Sequence, residues 1–477
     1  MGSTSKGVAW TGLSTLVSFS VQIGLIIFFT RYLEPTEYGK ISVLLIVYGL
    51  FQLFSGLGLT NYIISVPDIR RNDLNNIFWI NICFSILIAF SLYLLSGTVA
   101  EFFENEDLSG LLEQLAIAFI ITPFSQIYLN LLRKHLRFKS IAIIEIVSRL
   151  VWGSIIVLLV FQDFKAVAFV YGTLCQVTVN SILFFVVGRQ FYVPSFKVKL
   201  ENMVIMVRYG LFQLGEALLN YFAKEADKII IAKTLGLAIL GVYAVFRDIS
   251  FRVGNLFVFT MNRVYFPELS KLQSDLVQFN KKYRLYLKLL IISLCFIYFS
   301  LYISKDYLTT FIVKGEYSQY IQLLIYFSVL YFLRFSTANI ATLWLSKNRP
   351  DFGFKWNIVM FLVNPVIIYI SSTFGIESML STMIVAQFIW YTLSYVIVKQ
   401  LTQISFLKYM ASLLSILIVF LLSYYALLII GDLIYINSFV TPFVGIALLV
   451  SILLVMLYIT DKSLIQILKK RLWNILS

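Results

Sequence analysis

Runs of about twenty apolar residues, broken only by short clusters of charge, Pro, Gly or Asn, recur from end to end of this 477-residue chain. A helix needs about 20 such residues to cross about 30 Å of hydrocarbon. Lipid offers no water to an unpaired backbone group, so repeated apolar runs of this length confine the chain to membrane-spanning helices. The composition agrees, with 60% hydrophobic residues, 13% charged residues and a mean hydropathy of +0.88. A soluble protein carries about 25% charged residues, so an ordinary soluble enzyme is excluded.

Cutting at the interruptions gives fourteen expected spans: 8–30, 41–66, 77–97, 111–132, 140–161, 166–188, 204–228, 237–262, 285–304, 318–346, 355–374, 377–398, 409–430 and 439–460. The first is too long for a signal-peptide core and has no small-residue cleavage site before Arg31, so it is expected to be retained. An even number of spans puts both termini on one side. The Lys and Arg residues identify that side, because 26 of the 38 fall on it, 8 fall opposite and 4 lie within spans. By the positive-inside rule both termini are expected in the cytoplasm. The net charge of +14 is thus a topology signal, and nucleic acid is not an expected partner.

Other chemistries find little support. Cys83, Cys175 and Cys295 are scattered through apolar runs without metal-ligand spacing, and His135 stands alone in a basic loop, so no metal or catalytic site is expected. No phosphate-binding G-x-x-x-x-G-K-[ST] loop occurs. No extramembrane stretch is large enough to form a domain, which disfavours a membrane polymerase or lipid-linked glycosyltransferase that needs a large loop for its acceptor and catalytic carboxylates. No cofactor is expected beyond a coupling ion, H+ or Na+.

The chain also matches itself weakly at an offset of 202 residues. Arg31 to Gly39 aligns with Lys233 to Gly241, each with a basic residue closing one helix, Leu two positions on and Gly eight positions on. The same offset separates the first and seventh spans. The expected organisation is two parallel six-helix lobes around a central cavity, residues 1–200 and 201–402, followed by two further helices and a cytoplasmic tail in 403–477.

Ionisable groups at mid-span cost about 2.5–3.5 kcal/mol each and normally face a partner or water. They are Arg149, Glu216, Asp248, Arg252 and Arg334, with Glu145 and Arg247 nearby. Glu145 and Arg149, and Asp248 and Arg252, are four apart and can pair on one helix face. Tyr209, Gln213, Glu216, Asn220, Lys224 and Asp227 form one polar stripe on the seventh span. Two readings follow: ion pairs that fix packing, or a hydrated cavity. In the second, Arg149, Arg247, Arg252, Arg334, Asn220 and Lys224 would bind a diphosphate or acidic sugar. Glu216 and Asp248 would be the coupling-ion candidates, since burial favours a neutral carboxyl.

Three stretches carry a family resemblance: Lys6-Gly7-Val8-Ala9-Trp10, Arg31 to Gly39, and Phe54-Ser55-Gly56-Leu57-Gly58-Leu59. With Gly241-Val242-Tyr243-Ala244 and Val264 to Lys271, they resemble the Wzx-type O-antigen flippases among the polysaccharide transporters of the multidrug/oligosaccharidyl-lipid/polysaccharide exporter superfamily. The resemblance implies movement of an undecaprenyl-diphosphate-linked oligosaccharide from the cytoplasmic to the periplasmic face of a bacterial inner membrane, by alternating access. It also implies a cationic cavity, contact with membrane lipid, and a polysaccharide polymerase and chain-length regulator as candidate partners. A cation-coupled multidrug exporter and a lipid II flippase of the same superfamily stay open as alternatives. Pro35 to Gly39 and Pro267 are read as structural turns.

Overall fold

The computed structural model describes residues 3–55, 63, 64, 66, 69–195, 203–433 and 441–460. Gly56 to Leu59 and the tail from residue 461 lie outside them. The helices are α1 (Ser3–Tyr32), α2 (Pro35–Phe54), α3 (Arg71–Phe102), α4 (Asp107–Ile121), α5 (Pro123–Lys134), α6 (Phe138–Phe161), α7 (Val167–Gly188), α8 (Met203–Thr234) and α9 (Gly236–Lys271). They continue as α10 (Leu276–Ile303), α11 (Lys305–Phe311), α12 (Leu323–Thr337), α13 (Asn339–Ser346), α14 (Pro350–Ser372), α15 (Ile376–Thr402), α16 (Phe406–Leu433) and α17 (Thr441–Thr460), with a 3-10 turn at Gly315–Tyr320. Among the described residues there is no strand, and the chain is an all-α polytopic membrane protein.

Among the described residues ten helices are long and apolar enough to cross a membrane, or eleven if the bent pair α4 and α5 is counted as one span. Helix occurs at all fourteen expected positions, with three differences of detail. The second helix begins at Pro35, six residues earlier than its apolar run, because Pro at the first helical position gives up only an N–H that has no intrahelical partner anyway. Residues 35–39 are therefore helix, and so is Pro267, which lies one turn from the end of α9; neither is a turn. The fourth span breaks by 44° between Ile121 and Pro123. The short extramembrane stretch 263–284 is mostly helix: α9 runs to Lys271, and the Asp275 side chain caps α10 by accepting the Gln278 N–H at 3.0 Å.

The chain forms two compact units, Met1–Ala244 and Val245–Ser477. This division by compactness keeps α8 and the first turns of α9 with the first unit, where α8 packs on α2. In the first unit α1 lies on α6, α6 on α7, α3 on α4, and α7 on both α4 and α5. A core of Leu74, Ile77, Phe78, Ile127, Tyr128 and Phe184 joins α3, α5 and α7. Asn75 ties down the chain after α7, accepting from Tyr192 Oη at 2.6 Å and donating to Ser195 Oγ at 2.7 Å. At the other end, Lys40 is buried between Glu37 at 2.9 Å and Asp107 at 2.6 Å, and Glu37 also accepts the Ala166 N–H at 3.1 Å.

In the second unit α10 packs against α12, α16 and α17, and α15 packs against α12 and α14. Its buried polar groups pair across helices. Tyr286 Oη donates to Asn262 Oδ1 at 2.7 Å, Gln387 Nε2 donates to Thr337 Oγ1 at 2.9 Å, and the Tyr391 and Tyr409 rings stack at 4.8 Å.

The starts of α2 and α9 meet through their backbones. A Cβ on Gly39 would lie 2.0 Å from the Leu237 carbonyl oxygen, and one on Gly241 would lie 1.9 Å from that of Pro35. Gly241 is Gly39 advanced by 202 residues, and Leu237 is Pro35 advanced by the same amount. Each glycine thus touches the counterpart of its own neighbour, which is the reciprocity that a local two-fold relation between the two helix starts produces. Gly241→Ala is expected to lower thermal stability of the detergent-solubilised protein by about 1–3 kcal/mol through overpacking. Gly97→Ala, whose Cβ would meet nothing within 4 Å, should change it by less than about 1 kcal/mol.

Candidate functional site

Proline has no N–H, and its ring crowds the preceding turn, so Pro123 ends α4 and starts α5 in a new direction. The hydroxyls beside the break return to the backbone: Thr122 donates to the Ala118 carbonyl at 2.7 Å and Ser125 to that of Thr122 at 2.8 Å. Next to this bend, inside the first unit, lies a cavity of about 370 Å³ lined from α2, α5, α6 and α7. Its aromatic wall is Tyr48, Trp152, Phe169 and Phe184, and four side-chain amides reach it, those of Gln52, Gln126, Gln176 and Asn180. Of the four lining helices, α2, α6 and α7 are long and apolar enough to cross a membrane, and α5 is the second half of the bent pair α4 and α5.

Its charged residues are Glu145 and Arg149. Glu145 accepts a hydrogen bond from Ser14 Oγ on α1 at 2.6 Å. The Arg149 guanidinium lies over the Trp152 ring, 4.9 Å from its centroid, and Trp152 meets Phe169 edge to face at 6.4 Å. Each charge therefore has a partner besides its neighbour one turn away. The indole face offers Arg149 a favourable quadrupole where water is scarce.

The other arginines singled out in the sequence belong to the second unit. Arg247 is only 5% exposed and approaches Asp248 at 3.7 Å, while Arg252 approaches the same carboxylate at 3.4 Å. One acid thus faces two guanidinium groups. The α9 helix carrying them packs on α12 through Phe251, whose ring lies 5.9 Å from Tyr331 and 5.8 Å from Phe335. Arg334 is on that same α12, 5.8 Å from the Tyr331 centroid.

The stripe on α8 divides along its length. Asn220 is exposed, and Lys224 is 59% exposed at 3.9 Å from Glu225. Asp227 is buried and accepts from Tyr243 Oη at 2.7 Å, which binds α8 to α9 and is a packing role. The side chains of Glu216, Tyr209 and Gln213 lie outside the described residues. His135 is exposed and stacks on Phe191 at 4.3 Å. Among the described residues no group of three His, Cys, Asp or Glu side chains is placed to hold a metal ion.

The four amides lining the cavity were not singled out in the sequence, where the uncharged polar residues chosen lay on the seventh span. Gln and Asn inside apolar spans were the available signal, since an uncharged amide also loses hydrogen bonds when it leaves water. The hydrogen bond to Glu145 is charge-assisted, so Ser14→Ala is expected to cost about 1.5–3 kcal/mol in thermal unfolding. The same substitution in a Glu145→Gln background should cost less, as a double-mutant cycle would show.

Residues 28–322 match the family described as polysaccharide biosynthesis protein. The chain is 25% identical over 418 residues to the lipopolysaccharide biosynthesis protein WzxC of Escherichia coli (strain K12), covering 86% of this chain and 84% of that protein. It is 25% identical over 356 residues to the teichuronic acid biosynthesis protein TuaB of Bacillus subtilis (strain 168), covering 74% and 73%. A structure of the lipid II flippase MurJ in an inward closed conformation superposes with a TM-score of 0.75 at 13% identity, covering 96% of this chain and all of the other, a likeness of fold. With the family matched over most of its helices and the fold shared, this chain belongs to the polysaccharide biosynthesis protein family, the Wzx-type polysaccharide transporters of the multidrug/oligosaccharidyl-lipid/polysaccharide exporter superfamily.

Proposed function

We propose that this protein is a flippase, not an enzyme, and that it carries an undecaprenyl-diphosphate-linked oligosaccharide from the cytoplasmic to the outer face of a bacterial inner membrane. The observation that carries the reading is the arginine-rich set of the second unit, Arg247 and Arg252 about Asp248, and Arg334 beside Tyr331. A diphosphate presents several acceptor oxygens, which guanidinium groups bind in paired, charge-assisted hydrogen bonds. A cationic drug would meet repulsion from the same groups. Relatives are named for the biosynthesis of different polymers, lipopolysaccharide and teichuronic acid, which fits a shared lipid-diphosphate carrier better than a shared sugar.

The excess of Lys and Arg on one side supports cytoplasmic termini. Coupling would use H+ or Na+, with Glu216 and Asp248 as the acids. Between Arg247 and Arg252, Asp248 also serves as counter-ion, so Glu216 is the acid to replace first. A polymerase and a chain-length regulator would receive the delivered units.

A deletion strain should lose long-chain surface glycan and retain lipid-linked repeat units on the cytoplasmic face. Arg334→Ala should slow rescue about tenfold or more, and Arg334→Lys should restore part of it, measured as polymer per cell at matched protein level. Normal polymer with altered drug sensitivity would identify an exporter instead, and single units delivered outside but never joined would identify a polymerase.

A further inference from the structure

We propose that the 370 Å³ cavity of the first unit is a saccharide-recognition site, built for an uncharged sugar that carries an acetamido group; the proposal rests on the flippase reading. Its volume falls within the range of about 300–1,000 Å³ typical of small-molecule sites. What decides the ligand class is which hydrogen-bonding groups are still uncommitted.

Several polar groups lining it are already engaged. Thr122 and Ser125 donate to nearby carbonyls, Thr173 donates to the Phe169 carbonyl at 2.8 Å, and Glu145 is held by Ser14. Arg149 is stacked on Trp152 and has one opposite charge, Glu145, in the same cavity. The two formal charges balance, so the cavity as a whole suits neither a diphosphate nor a drug cation.

The remaining capacity lies in the amides of Gln52, Gln126, Gln176 and Asn180, reaching the cavity from α2, α5 and α7. Gln126 spends one N–H on a long bond to Ser55 Oγ, at 3.4 Å. Asn180 Oδ1 is buried and has no hydrogen-bond donor among the described residues. A buried acceptor left in that state costs about 1–3 kcal/mol, which a ligand N–H or O–H would recover. An acetamido group presents one donor and one acceptor on opposite sides of a planar unit and so can meet a side-chain amide on each side, whereas a hydroxyl donates and accepts from a single oxygen and does not span between two amides. The aromatic wall of Tyr48 and Trp152 suits the apolar C–H face of a pyranose ring.

The larger cavity of the same unit, about 550 Å³ around Glu37, Lys40 and Asp107, does not compete for this role. Its Lys40 is closed between two carboxylates and ties α2 to α4.

The test compares three lipids on the purified full-length protein: undecaprenyl diphosphate, the same lipid bearing N-acetylglucosamine, and the same lipid bearing glucose. The N-acetylglucosamine lipid should bind about tenfold more tightly than the glucose lipid, which corresponds to about 1.4 kcal/mol. Asn180→Leu should abolish that difference and leave binding of the bare lipid in place, which also reports that the variant is folded. If Asn180→Leu loses the bare lipid too, Gln176→Leu supplies the same comparison. Equal binding of the two sugar lipids by the natural protein, or a preference that survives the substitutions, would overturn the saccharide site and leave the flippase reading standing. Failure of the natural protein to bind any of the three lipids would overturn the flippase reading itself.

Discussion

Every backbone N–H and C=O that lies in the hydrocarbon must find its partner without help from water, and that requirement organises the rest. Helices meet it locally, one turn at a time, and among the described residues helix is the regular structure throughout. The exceptions fall where a hydroxyl or carboxylate can take over. Beside Pro123 the Thr122 hydroxyl donates to the Ala118 carbonyl and the Ser125 hydroxyl to that of Thr122, and at Ala166 the Glu37 carboxylate receives a backbone N–H.

Side chains obey the same rule with larger stakes. Lys40 is 11% exposed and faces two carboxylates, Asp248 faces two guanidinium groups, and Asp227 and Glu145 each accept a hydrogen bond, from Tyr243 and Ser14. Removing one partner of a buried ion pair leaves the other uncompensated, a cost of about 3–5 kcal/mol. In the first unit four amides, those of Gln52, Gln126, Gln176 and Asn180, line a cavity, and in the second Asp248 sits between Arg247 and Arg252.

The fold was legible because its signal is long and repeated. Twenty apolar residues in a row have few alternatives, and helix appears at all fourteen positions where the runs occur. Ends were less legible: α2 starts at Pro35, before its apolar run, and α9 continues to Lys271, because a helix can leave the hydrocarbon and keep its own backbone bonds. The candidate site was legible in part. Arg149 and Glu145 were singled out by charge, while Gln52, Gln126, Gln176 and Asn180 come from three helices and have no common spacing in the chain that would join them.

The sequence alone determined the membrane-spanning class, the helix positions, the charge asymmetry and the 202-residue echo between Gly39 and Gly241, since each depends on composition or spacing along one stretch of chain. Tertiary structure decided which polar groups are spent and which remain. Asp227 and Glu216 share one stripe in the sequence, yet only the approach of Tyr243 makes Asp227 a packing residue. Gly39 and Gly241 are ordinary small residues until the Leu237 and Pro35 carbonyls come within contact of them. Hydrogen bonds and close backbone approaches reach a few ångströms across helices that lie far apart in the chain, and that distance is set only when the helices pack.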